Sequence, residues 1–155
     1  DATVQVRTFD DIDRCVNIAV AAFSLDPTAT MGLRELIVNA VEHGNLEIDF
    51  DQKSDLLANG NWQDEIEKRL ATKELGDRVA TVHLSRDGVD FKIEITDQGA
   101  GFDWRRHLDP DTAPTHMLHG RGMSLAMVAG FKSIQYCGTG NQVIISGEVA
   151  GDQAE

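Results

Sequence analysis

The stretch "RVATVHLSRDGVDFKIEITDQGAGF", residues 78–102, decides the fold. Apolar and polar residues alternate on both sides of Asp87-Gly88. A period of two belongs to strands with one buried face. An Asp-Gly pair between two such runs reads as the turn of a β-hairpin. The second run then ends in Asp97, followed by Gly99 and Gly101. That ending is either an ordinary turn or a strand end built to hold a small molecule.

Working outward, "TVQVRTF" alternates and reads as a strand. The stretch "DDIDRCVNIAVAAFSL" reads as a helix, with Asp10 or Asp11 as N-cap. Its Ile12, Cys15, Val16, Ala19 and Phe23 share one face. After Pro27 the pattern predicts a second helix, from Ala29 to His43, stopping at Gly44. Residues 46–77 read as a helical insertion. One short helix ends at Gly60. A second is capped by Asn61, carries an apolar row of Trp62, Ile66 and Leu70 and a Glu65–Arg69 pair, and stops at Gly76. Residues 102–119 hold two prolines and little periodicity. A loop that long in a domain is often a lid or a binding loop. "RGMSLAMVAGF" reads as a helix, and "KSIQYCGTGNQVIISGEVA" as a second hairpin turning at Gly138–Asn141. Strands in hairpins, not alternating with helices, indicate an α+β fold with one mixed or antiparallel sheet and helices on one face.

Composition narrows the partners. The chain has 155 residues, which suggests a single domain. It carries 26 acidic against 14 basic residues, a formal net charge of -12. That argues against nucleic acid and anionic membrane as partners. A nucleotide held by backbone amides and Mg²⁺ remains compatible. No apolar run is long enough to span a bilayer. Cys15 and Cys137 have no metal-ligand spacing and read as buried thiols in a reducing cytosol, so a cytoplasmic location is expected. The chain opens on Asp1 without Met, which suggests a piece of a longer protein.

Three stretches can carry chemistry. In "LRELIVNAVEHGN", Glu35, Asn39, Glu42 and His43 share one helix face. This is either a solvated polar face or a site. An Asn carbonyl suits Mg²⁺ with phosphate ligands, and a carboxylate one turn away suits a general base. In "DQGAGF", Asp97 can accept from an exocyclic amine, and Gly99 and Gly101 let a planar ligand lie on bare backbone. In "HGRGMSLAMV", Gly120 and Gly122 lead into a helix whose N-terminus can face a phosphate, with Arg121 nearby.

In that order, an E-x-x-x-N helix, a D-x-G-x-G strand end, a long lid and a G-x-G helix start resemble the N, G1 and G2 boxes of the GHKL ATPases. The resemblance implies the Bergerat ATP-binding fold, a two-layer α/β sandwich with a mixed, mostly antiparallel sheet. With "NAVEHGN" and "GRGMSLAMV…QYCGTGNQVII", the chain is most similar to bacterial anti-sigma factor serine/threonine kinase domains. Related domains lie at the C-terminus of response-regulator/phosphatase proteins.

The resemblance implies roles residue by residue. Glu35 matches the general base that activates a Ser or Thr hydroxyl. Asn39 matches the Mg²⁺ ligand at the ATP phosphates. Asp97 matches the adenine N6 acceptor. Gly99 and Gly101 shape the adenine pocket and the lid hinge over residues 102–119. Gly120, Arg121 and Gly122 sit at the phosphates, and His43 has a supporting or phosphate-side role. The implied cofactors are ATP and Mg²⁺. The implied substrate is a STAS-type anti-sigma antagonist in a partner-switching pathway, with a sigma factor as a further partner and a homodimer as a candidate assembly.

Departures are visible. Glu42 stands where a histidine kinase tends to offer a basic group. No heptad hairpin carries a phosphoacceptor His. The 46–77 segment is longer than in the smallest family members, and its Trp62–Leu70 row either covers the core or forms a partner surface. Trp104, Arg105 and Arg106 in the lid are candidates for nucleotide or partner contact. Two other functions compete: a nucleotide-binding module that sequesters a regulator without transferring phosphate, and a histidine-kinase catalytic domain.

Overall fold

The computed structural model describes residues 1–101 and 130–151. Two hairpins and one N-terminal strand build a sheet of five strands in the order β1-β2-β3-β5-β4. The strands are β1 (Ala2–Val6), β2 (Ala80–Asp87), β3 (Asp90–Thr96), β4 (Ser133–Cys137) and β5 (Gln142–Glu148). Every pairing is antiparallel. The wholly antiparallel alternative therefore holds, and the mixed sheet does not describe these strands. In the first hairpin Asp87 pairs with Asp90, leaving Gly88 and Val89 as a two-residue turn. Gly88 has φ of 61°, a conformation that glycine adopts without steric cost.

One face of the sheet is apolar: Val6, Ala80, Val82, Leu84, Phe91, Ile93, Ile95, Val143 and Ile145 are buried. Helices α1 (Phe9–Phe23) and α2 (Pro27–Asn39) supply the facing layer. The α1 stripe is the expected one, since Ile12, Cys15, Val16, Ala19 and Phe23 are all buried. Phe23 stacks on Phe91 at 4.6 Å between ring centroids, joining helix layer to sheet. The opposite sheet face carries Thr81, His83, Ser85 and Glu94, which are half-buried, and Lys92, which is exposed. This is an α+β arrangement of two layers.

Three local expectations are corrected. The N-cap of α1 is Thr8, not Asp10 or Asp11. Thr8 accepts from the Asp11 amide, and the Asp11 side chain accepts from the Thr8 amide in return. Asn61 makes no side-chain cap bond at the start of α4 (Trp62–Ala71). The second helix starts at Pro27, with Asp26 as its cap. It does not run unbroken to His43: after Asn39 it widens into a π turn, Ala40–Asn45. A π turn carries one extra residue per turn and is frequent at functional sites.

Between that turn and β2 the chain forms α3 (Phe50–Ala58), α4 and the single turn α5 (Lys73–Gly76). Asp49 and Gln52 cap α3 reciprocally. Ile66 is buried, and Trp62 and Leu70 pack against the core from its edge. The expected Glu65–Arg69 pair is present at 2.8 Å. Arg69 also donates to the carbonyls of Leu46 and Glu47, at 2.8 and 2.9 Å, which ties α4 back to the π turn. Among the described residues no helix is long and apolar enough to cross a membrane. Cys15 is buried, which pushes its thiol up to about 11, the state of an unreactive core thiol. Cys137 is only half-buried.

Candidate functional site

The π turn and the end of β3 meet with almost no space between them. A Cβ placed on Gly44 would lie 2.3 Å from the Asp97 carboxyl carbon. One placed on Gly99 would lie 2.5 Å from the Gly44 carbonyl oxygen. Glycine at both positions is therefore a condition of this approach, not a sign of looseness. Gly101 has φ of 84°, and its Cβ would fall 2.0 Å from the Thr139 carbonyl oxygen in the second hairpin turn.

Hydrogen bonds fix the strand end further. The Asp97 amide donates to the Asn141 carbonyl at 2.9 Å, and the Asn141 side chain donates to the Asp97 carbonyl at 3.3 Å. The Gly99 amide donates to Asp97 Oδ1 at 2.8 Å, an Asx turn. The Gln98 amide donates to Asn45 Oδ1 at 2.8 Å. Gln98 in turn accepts from the Val79 amide at the start of β2. Asn45 and Asn141 were not singled out by the sequence reading. The Asn-Gln that follows the turn glycines and the Gly-Asn of the π turn were the only cues to them.

A cleft opens beside this junction. Asn39, His43, Gly44, Asp97 and Gly101 line it, with Ile95, Tyr136 and Val143 as its apolar floor. Its empty space is about 420 Å³ including the open mouth. The part open to the centre of a water molecule is about 30 Å³, room for one or two waters. His43 is 7% exposed. Its Nδ1 bonds the Ile48 carbonyl. A carbonyl only accepts, so Nδ1 carries the proton and Nε2 is the ring's acceptor when the imidazole is neutral.

Glu35 sits one turn before Asn39, on the neighbouring cavity. That cavity is lined by Phe9, Arg34, Glu35, Val38, Asn39, Lys53 and Trp62. Asn39 is the wall shared by cleft and cavity. Its Nδ2 is buried and has no partner among the described residues. An amide left over at such a boundary fits a ligand with phosphate oxygens, because Nδ2 can donate to one while Oδ1 meets a hard cation. No group of three His, Cys, Asp or Glu side chains is placed to hold a metal among the described residues.

The structure therefore brings Asn39, His43, Asp97 and Gly101 to one cleft, puts Gly99 behind it, and leaves Glu35 exposed one turn away. Gly120, Arg121 and Gly122, the lid over 102–119 with Trp104, Arg105 and Arg106, and most of the "RGMSLAMVAGF" helix lie outside the described residues. Glu42 departs from the expectation that it shares a polar face with Glu35. It is 0% exposed. Its two oxygens accept from Lys53 Nζ at 2.8 Å and Trp62 Nε1 at 2.5 Å.

A scan against protein-family models finds none that matches. Searches of curated proteins and of solved structures likewise return no match.

Proposed function

We propose that this chain is an ATP-dependent protein serine/threonine kinase of the GHKL type, with the Bergerat fold, acting as an anti-sigma regulator. The observation that carries the reading is Asn39. It joins the cleft that holds Asp97 to the cavity that holds Glu35, and its buried amide is left for a ligand. In this reading Asp97 would accept from the adenine amine, and Asn39 would hold Mg²⁺, which would supply charge neutralisation at the phosphates. Glu35 takes the proton of an incoming Ser or Thr hydroxyl. The hydroxyl oxygen forms its bond to the γ-phosphorus as the bond to the ADP oxygen breaks. Such transfer needs positioning and charge neutralisation more than covalent chemistry from the protein.

The substrate class is a STAS-type anti-sigma antagonist. The test is incubation with Mg-ATP and STAS domains encoded beside the gene, with mapping of phosphoserine or phosphothreonine. Transfer that disappears in Glu35→Ala is expected. Absence of transfer with the cognate antagonist, or full transfer in Glu35→Ala, contradicts the proposal.

One observation favours a second reading, a sequestration module that binds nucleotide without transferring phosphate. Glu35 is exposed, and no ion pair or hydrogen bond of its side chain is seen among the described residues, so nothing there fixes its orientation. Nucleotide binding together with a silent transfer assay would support that reading.

A further inference from the structure

The Glu42–Lys53–Trp62 cluster lies beside the proposed reaction site and is not explained by it. A carboxylate at 0% exposure must be compensated, because isolated buried charge is costly. Glu42 is compensated from two directions, by the Lys53 ammonium and the Trp62 indole N–H. Both come from the 46–77 segment, so the segment folds over the π turn with a charged contact at its centre. Arg69 holds it there through the Leu46 and Glu47 carbonyls.

Neutralising Glu42 does not account for where Lys53 sits. Its side chain remains 26% exposed, and it forms one wall of the cavity that contains Glu35 and Asn39. An ammonium has three donors, and a single carboxylate oxygen takes one of them. The Trp62 ring lies 6.0 Å from Nζ, which further limits where the lysine stem can point. The other cation on that cavity, Arg34, turns its Nε to Asp13 at 3.2 Å. In a chain of net charge -12 a triphosphate needs local positive charge.

We infer that Lys53 is a phosphate-facing cation of this site and that Glu42 is its positioning residue. The inference rests on the ATP reading above. As the acceptor oxygen bonds the γ-phosphorus and the bridging oxygen departs with ADP, Lys53 would neutralise charge on the transferred oxygens without itself giving up a proton. Lys53 should then distinguish ATP from ADP, because only ATP carries the phosphate it faces.

The test is calorimetric titration of the purified chain with Mg-ATP and with Mg-ADP. Lys53→Met is expected to weaken ATP binding about tenfold, the scale of one charge-assisted hydrogen bond, and to leave ADP binding within about twofold. Lys53→Arg should retain the preference. Because Lys53→Met leaves buried Glu42 with only the Trp62 N–H as a partner, the double variant Glu42→Gln/Lys53→Met is titrated as well. It should regain the parent's melting temperature and still lack the ATP preference. If the double variant recovers both, or if Lys53→Met loses both nucleotides equally, Lys53 serves only to neutralise Glu42 and the inference fails. A parent chain that binds neither nucleotide overturns the ATP reading itself, and this inference with it.

Discussion

The two walls around Asn39 are built in opposite ways. The Asp97 wall is locked: Gly44 and Gly99 touch through bare backbone, and Asn45, Val79 and Asn141 hold the strand end from three sides. The Glu35 wall is open. Its carboxylate faces solvent, and the neighbouring Asn39 amide has no partner among the described residues. A recognition wall gains from being fixed before the ligand arrives, since ordering has then already been met in folding. A base that must meet a protein substrate gains from being reachable. The difference predicts that substitutions on the two walls fail in different ways.

The largest expected effect is on the open wall. Glu35→Ala should lower phosphoryl transfer by roughly 10²–10⁴-fold, the usual contribution of a general base. Its melting temperature should match the parent's, because the side chain is exposed. Thermal unfolding beside a transfer assay checks this. A variant that lost stability and activity together would show the open wall to be structural.

On the locked wall the order reverses. Gly44→Ala forces a methyl against the Asp97 carboxyl carbon. It should cost about 1–3 kcal/mol of stability, as overpacking does, and should weaken nucleotide binding by displacing Asp97. Urea unfolding and calorimetry read the two effects. Parent-like stability would mean that the close approach relaxes freely, and the contrast between the walls would disappear.

The smallest effect lies far from both walls and serves as a reference. Thr8→Ala removes the α1 cap and should cost about 1 kcal/mol without altering nucleotide binding. The Thr8 backbone N–H holds the Asp11 carboxyl below its ordinary value of 3.8. A carboxylate lowered by folding stabilises the native state above the unfolded-chain value. That contribution is lost as pH falls through the folded value. Asp11→Asn should therefore flatten the loss of stability below about pH 4. Unfolding curves at pH 6 and pH 3 (chosen to straddle that window) measure it.

Much of the architecture was legible in the sequence. Alternation about Asp87-Gly88 places β2 and β3, and the Ile12–Phe23 stripe places α1, because both patterns record burial of one face. The Thr8 cap was not legible: a run of Asp10, Asp11 and Asp13 offers several caps, and the one used depends on where β1 releases the chain. Nor was the π turn. Its apolar spacing continues that of α2, and the strand end it meets lies some fifty residues on in sequence. Glu42 was misplaced for a related reason. A 3.6-residue period assigns it to the side of Glu35, whereas the widened turn rotates it inward to partners that only the folded 46–77 segment supplies. The Asp97–Gly101 motif suggested a site. Its rigidity comes from Asn45 and Asn141, whose roles exist only after folding.

Calorimetric titration of the parent chain and Asp97→Asn with Mg-ATP tests the central claim most directly. The account predicts binding by the parent and at least about a tenfold loss in the variant, as expected when a charged, half-buried acceptor for an amine is replaced. Equal affinity in the two proteins, or no binding by the parent, would contradict it.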